Sequence, residues 1–191
     1  MKRILMHLCC APCFIMPFYR LKDKYELTGF WNNFNIHPVT EYTNRLGSVR
    51  DFIKMEKIQI IERDEYGLVK FLNKTMCFYG ENEKAEKDIK LKRCFQCYYD
   101  RLETVAIYAK SNKYDFFSTS LLYSKRQNHE LIKEIGFSLV EKYGINFFYE
   151  DFRKYWQDGI ALSKEKNLYR QKYCGCIFSE MERYLDRREK C

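Results

Sequence analysis

Short apolar runs alternate along this chain with stretches whose apolar residues recur every three or four positions, the two periods that separate strands from helices. Arg3 to Cys10 reads as a buried strand and Cys13 to Lys22 as a short helix. Tyr25 to Ile36 carries the β-rich run Leu27-Thr28-Gly29-Phe30-Trp31 and reads as a second strand. After His37-Pro38, helical spacing runs to Lys57 through Val39, Tyr42, Leu46, Val49, Phe52 and Ile53. Gln59 to Ile61 is a third strand. Asn82 to Lys110 contains a long helix with the stripe Cys94, Cys97, Tyr98, Leu102, Val105, Tyr108 and Ala109. Asp115 to Leu122 is a fourth strand, Asn128 to Tyr143 an amphipathic helix, Ile145 to Tyr149 a fifth strand, and Phe178 to Arg188 a last helix. Phe152 to Gln171, polar and without clear strands, is expected to run as a loose excursion over the site.

This alternation predicts an α/β fold over residues 1–191, a single domain with a parallel sheet and helices on both faces. Such sheets bind ligands beyond the carboxyl ends of their strands. Cys9-Cys10 falls at the end of the first strand, and Ser118-Thr119-Ser120 near the end of the fourth.

Composition turns attention to the cysteines. A chain of 191 residues that is 46% apolar can bury its own core without disulfide staples, so nine cysteines need a chemical explanation. An odd number without a regular framework argues against a secreted disulfide scaffold. The start, Met1-Lys2-Arg3 followed by apolar residues to Phe18, imitates a signal peptide. It contains His7, three cysteines and two prolines, however, and no small-x-small cleavage site follows. At about 15 apolar residues it is too short for a bilayer span. The expectation is a cytoplasmic protein that does not engage a membrane.

Seven cysteines form three groups: Cys9-Cys10-Ala11-Pro12-Cys13, Cys94-Phe95-Gln96-Cys97 and Cys174-Gly175-Cys176. Cys94 and Cys97, at i and i+3, share a helix face. Cys9, Cys10, Cys94 and Cys97 together offer four thiolates for zinc or an iron–sulfur cluster. Adjacent cysteines diverge in an extended strand, which suits the separate corners of a [4Fe–4S] cube better than tetrahedral zinc. Cys174-Gly175-Cys176 reads differently, because a disulfide across one residue is strained and easily reduced. It fits a cycling redox pair, with extra metal ligands or core filler as the alternatives. Cys13 serves either site or neither. Cys77 reads as a buried hydrophobe and Cys191 as part of a frayed tail. His37 could line the site, although a structural role is the simpler reading.

Charge adds a partner. The net charge is +8. Lys84, Lys87, Lys90, Lys92 and Arg93 lead into the second cysteine group; Lys164, Lys166, Arg170 and Lys172 lead into the third, and Arg183, Arg187, Arg188 and Lys190 follow it. Solvated helix faces would account for these residues. Their position against both groups points instead to an anionic substrate such as nucleic acid. Tyr98-Tyr99, Tyr155-Trp156, Tyr169 and Tyr173 could stack bases. No glycine-rich phosphate loop occurs, so nucleotide-dependent activation is not expected.

The segments His7-Leu8-Cys9-Cys10-Ala11-Pro12-Cys13, Arg93 to Tyr98, Arg101-Leu102, Ser118 to Leu122 and Tyr173-Cys174-Gly175-Cys176 with Phe178-Ser179 resemble the cobalamin-independent, QueH-type epoxyqueuosine reductases, in order and over nearly the whole chain. The resemblance implies a Rossmann-like domain of the HUP class that lacks an ATP loop. It also implies reductive removal of the epoxide oxygen from epoxyqueuosine at the wobble position of a tRNA anticodon stem-loop, the last step of queuosine synthesis. Carried across, Cys9, Cys10, Cys94 and Cys97 ligate a [4Fe–4S] cluster, and Cys174 and Cys176 form the redox pair supplied by an external electron donor. An additional mononuclear iron acting as a Lewis acid, with Cys13 among its candidate ligands, is a variant of the scheme, and Lys164, Lys166, Arg170 and Lys172 are the candidate tRNA contacts. Two departures stand out: Lys125-Arg126 where the family often has proline and an aromatic, and Phe178 where a tyrosine is common. The competing readings are a tRNA thiolation enzyme of the same fold class and a zinc-stabilised RNA-binding module.

Overall fold

The computed structural model describes residues 1–79 and 86–185. The first residues of the helix expected from Asn82 lie outside these, as do Lys84, Arg187, Arg188, Lys190, Cys191 and the end of the last expected helix. In chain order the elements are β1 (Lys2–His7), α1 (Ala11–Leu21), β2 (Tyr25–Asn32), α2 (Val39–Glu56), β3 (Gln59–Arg63), α3 (Leu68–Thr75), α4 (Glu86–Ser111), β4 (Phe116–Thr119), α5 (His129–Tyr143), β5 (Asn146–Phe147), α6 (Trp156–Glu165) and α7 (Ile177–Tyr184). Single 3-10 turns follow α3, follow β4 and precede α6.

The five strands form one parallel sheet in the order β3-β2-β1-β4-β5. β1 is central: Leu5 lies opposite Thr28 on one side and Phe117 on the other. Right-handed crossovers carry β1-α1-β2-α2-β3 outward in one direction and β4-α5-β5 in the other. α1 and α2 therefore share one face, with α6 packed on α1, while α4 and α5 pack together on the other. Cover on both faces is why Ile4, Leu5, Met6 and His7 are wholly buried, as a continuous apolar run requires. Phe14, Phe18 and Phe52 meet with ring centroids 5.8–6.0 Å apart and lock α1 to α2. Burying each of these rings contributes about 1.5–3 kcal/mol.

The structure departs from the sequence reading mainly at strand ends. β1 stops at His7, and Cys9-Cys10 lies in the turn beyond it. Ala11-Pro12 opens α1 two residues before the expected start, because proline in the first helical turn gives up only an amide that has no partner there. β2 ends at Asn32, where the Asn33 side chain turns back to donate to the Leu8 carbonyl at 2.7 Å. β4 ends at Thr119, whose hydroxyl accepts the Leu121 amide and starts a 3-10 turn. The region 152–171 is not a loose excursion: it holds α6, seated by Gly159, where a Cβ would lie 2.2 Å from the Tyr123 hydroxyl. α3 was not foreseen, because Leu68 and Phe71 give too short a stripe to separate from a loop.

Candidate active site

The sheet order reverses between β1 and β4, and the site lies at their carboxyl ends, at this switch point. Cys10 caps α1 with extended backbone (φ −175°, ψ 162°), and Cys13 lies within the first turn of the helix. The Cys9 amide donates to Ser120 Oγ at 3.0 Å, and that hydroxyl donates to Cys9 Sγ at 3.3 Å. Strand β4 thereby aims the thiol of β1's end. The Cys9 and Cys10 sulfurs are 3.8 Å apart, and with Cys13 all three lie within 4.8 Å of one another. This corrects the expectation of divergence, which holds only for an extended pair; a turn brings the two sulfurs together. Gln171 Nε2 donates to Cys10 Sγ at 3.1 Å and to Cys13 Sγ at 3.5 Å.

Hydrogen bonds from the Cys10 and Cys13 thiols hold the Cys9 thiol well below its ordinary value, against the cost of burial. Burial pushes Cys10 up, while hydrogen bonding to the Cys10 and Cys9 sulfurs pushes Cys13 up. Within the trio the electrostatics favour the anionic form at Cys9 and the protonated form at Cys10 and Cys13. A thiophilic cation replacing those protons would find three soft, buried ligands at a helix N-terminus.

Cys94 and Cys97 sit well inside α4, three positions apart on one face as the spacing predicts. Asn35 Nδ2 donates to Cys97 Sγ at 3.1 Å and is oriented by Arg101 Nε, which donates to its Oδ1 at 2.8 Å. Burial first, then the neighbouring Cys174 and Cys176, pushes Cys94 up to about 12. Burial raises Cys97 and Cys174 too. The fold therefore gathers Cys9 and Cys10 with Cys13, and Cys94 and Cys97 with Cys174 and Cys176. A cavity of about 380 Å³ is lined by Cys9, Cys13 and Cys174, and another of about 440 Å³ by Cys94, Cys174 and Cys176. Cys174 borders both, and Gln127 donates to its sulfur at 3.3 Å. Cys77 is exposed, contrary to its expected burial.

The Cys174-Gly175-Cys176 turn is fastened to α2 and to the segment before it. The Tyr173 hydroxyl donates to the His37 carbonyl and the His37 amide to the Gly175 carbonyl, both at 2.7 Å. His37 is thus an anchor for this turn, and burial pushes its imidazole down to about 4. Arg45, 1% exposed, donates to the carbonyls of Tyr173 and Cys174 at 3.0 and 2.9 Å. Gly175 has φ +137°, and a Cβ there would lie 3.0 Å from an Arg45 nitrogen. Gly175→Ala is expected to lower stability by about 1–3 kcal/mol through that backbone strain. Thermal unfolding measures the loss, and alkylation of Cys176 shows the displaced turn as a changed rate.

Arg170 and Lys172 line the first cavity with Arg45, Arg126 and Arg183, and no carboxylate lines it among the described residues. Lys166 instead pairs with Glu56 at 3.0 Å beside Tyr19, and Lys164 is exposed on α6 outside the lining. Tyr123 stacks on Trp156 at the cavity wall, ring centroids 5.3 Å apart. Sequence reading placed Ser120 with Cys9 and Cys10 at the strand ends, as found, but missed Arg45, Asn35, Gln127 and Gln171 as neighbours of the thiols. Only the Glu41/Arg45 spacing at i, i+4 carried any local signal, and that pattern is ordinary on surface helices.

The sequence profile described as "Epoxyqueuosine reductase QueH" matches residues 4–182. The chain is 36% identical to the epoxyqueuosine reductase QueH of Thermotoga maritima, covering 100% of this chain and 94% of that protein. It is 33% identical to that of Dehalococcoides mccartyi (95% and 94%) and 30% identical to that of Staphylococcus aureus (96% and 78%). Among solved structures it resembles a chain described as a predicted subunit of tRNA methyltransferase from Methanocaldococcus jannaschii. That likeness has a TM-score of 0.56 at 15% identity over 99% of this chain and 89% of the other, and it speaks to the fold alone.

Proposed function

Because this chain belongs to the epoxyqueuosine reductase QueH family and is an oxidoreductase, we propose that it removes the epoxide oxygen of epoxyqueuosine in the anticodon loop of a tRNA, leaving queuosine. The observation that best supports this reading is the convergence of all three cysteine groups on two cavities that share Cys174, the first of them lined by cations without a carboxylate. A thiol site and an anion site in one place suit a redox step on a nucleic acid. No helix among the described residues is long and apolar enough to cross a membrane. A cytoplasmic enzyme meeting tRNA fits that observation.

The donor set fits an iron–sulfur group: soft, buried thiols whose protons are costly to lose without a cation. Cys9, Cys10, Cys94 and Cys97 would hold a [4Fe–4S] cluster, and Cys13, beside Cys9 and Cys10, would be a ligand for a mononuclear iron. A bound cluster supplies electrons one at a time, and a mononuclear iron supplies a Lewis acid. The remaining chemistry belongs to the chain. Conversion of the epoxide to an alkene with release of water takes two electrons and two protons. Cys174 and Cys176 can give both together: two S–H bonds break, one S–S bond forms, both C–O bonds of the epoxide break, and the oxygen leaves as water. An external donor returns two electrons to the disulfide. Gln127, bonded to Cys174, holds that sulfur at the cavity wall. Arg126, Arg170 and Lys172 would take phosphates, with Trp156 beside them.

The convergence of Cys9, Cys10 and Cys13 is also compatible with a mononuclear thiolate site, so metal identity is the first test. Protein purified without air is expected to carry about four irons and four acid-labile sulfides per chain and to convert epoxyqueuosine tRNA when supplied with a reductant. One zinc without sulfide, persisting after iron and sulfide reconstitution and without conversion, would replace this reading with the RNA-binding module.

A further inference from the structure

Arg45 lies on α2, a helix that contributes no thiol, yet its guanidinium is spent on the Cys174-Gly175-Cys176 turn. Its two terminal nitrogens hold two consecutive carbonyls, of Tyr173 and Cys174, while Nε donates to Glu41 Oε1 at 2.7 Å. The second Glu41 oxygen accepts the Tyr169 hydroxyl, and the Tyr169 amide donates to Ser48 Oγ at 3.1 Å. Residues leading into the turn are therefore tied to the same face of α2 that carries Arg45. Gly175, bare of Cβ and at positive φ, lets the guanidinium approach the backbone between the two cysteines. A buried ion pair contributes little net stability, so stabilising α2 is a weak reason to hold this arrangement. Its donors point at the turn.

We propose that Arg45 is the positioning residue that sets the thiol–disulfide equilibrium of Cys174 and Cys176. This rests on the reading of these cysteines as the redox pair. Closing a disulfide across one residue requires the backbone around Gly175 to move, and Arg45 resists by gripping the carbonyls on either side of the Cys174 Cα. The clamp thus biases the pair toward the dithiol and makes its disulfide, once formed, easy to reduce again.

The experiment equilibrates metal-loaded protein, without air, in glutathione buffers of varied ratio. The reaction is Cys174–SH plus Cys176–SH plus oxidised glutathione giving the Cys174–Cys176 disulfide plus two reduced glutathiones. Differential alkylation and peptide mass spectrometry read the two cysteines apart from the others. Arg45→Met, and Glu41→Gln with Arg45→Met so that no carboxylate is left buried without its partner, are expected to shift the equilibrium constant toward the disulfide by about tenfold, near 30 mV for this two-electron couple. Circular dichroism confirms the fold, and the double variant stands in where the single one does not fold. A shift below threefold, or one toward the dithiol, in a folded variant overturns the role of Arg45. A wild-type protein that forms no Cys174–Cys176 disulfide at any ratio overturns the redox-pair reading beneath it, an outcome distinct from the first.

Discussion

Cys176→Ser is expected to abolish turnover, by roughly a thousandfold or more, while iron and sulfide content stay at the wild-type level. A serine hydroxyl cannot join Cys174 in a disulfide, so the two-electron donation is lost even though the side chain is nearly isosteric. The fold should accept the change readily. Cys176 is the residue before α7, with extended backbone (φ −79°, ψ 158°), where serine is among the preferred helix caps. Nucleoside mass spectrometry of treated tRNA reads the turnover, and metal and sulfide analysis reads the site. Unimpaired conversion by the variant would remove the dithiol from the mechanism. Loss of iron together with activity would make Cys176 a ligand instead.

The second large effect concerns tRNA. Replacing Arg126, Arg170 and Lys172 together with alanine is expected to weaken tRNA binding by roughly a hundredfold at low salt and to reduce the slope of log affinity against log salt by about 2–3. These three line the first cavity, where no carboxylate competes for them among the described residues. The paired replacement of Lys164 and Lys166 is the internal control, since Lys166 is already engaged by Glu56 and neither residue lines the cavity. Its salt slope should change by less than one. If the control pair carried the larger change, tRNA would approach over α6 rather than over the thiols.

These contrasts show where the sequence was legible. Strand–helix alternation identified the parallel sheet and its five strands; the central β1 leaves the clearest mark, an apolar run buried from both sides, while the edge strands β3 and β5 are only partly buried. Element ends were less legible. Thr119 halts β4 with its own hydroxyl and Asn33 turns β2 through the Leu8 carbonyl, events between side chain and backbone that no periodicity encodes. Four basic residues before Cys174 looked equivalent in sequence; the fold turns Arg170 and Lys172 into the cavity and Lys166 onto Glu56.

The sequence by itself determined that three cysteine groups exist, that they fall beyond strand ends and near helices, and that the family motif surrounds them, because spacing within a few residues is fixed by covalent geometry. Only the tertiary structure decided which sulfurs meet. Cys9 and Cys10 converge because the chain turns before Ala11, and Cys174 comes to border two cavities because segments far apart in sequence pack together. Arg45 belongs to the site for the same reason. It lies 128 and 129 positions from the carbonyls it holds, and a hydrogen bond across that distance depends on how helices seat on a sheet, which no local pattern of residues records.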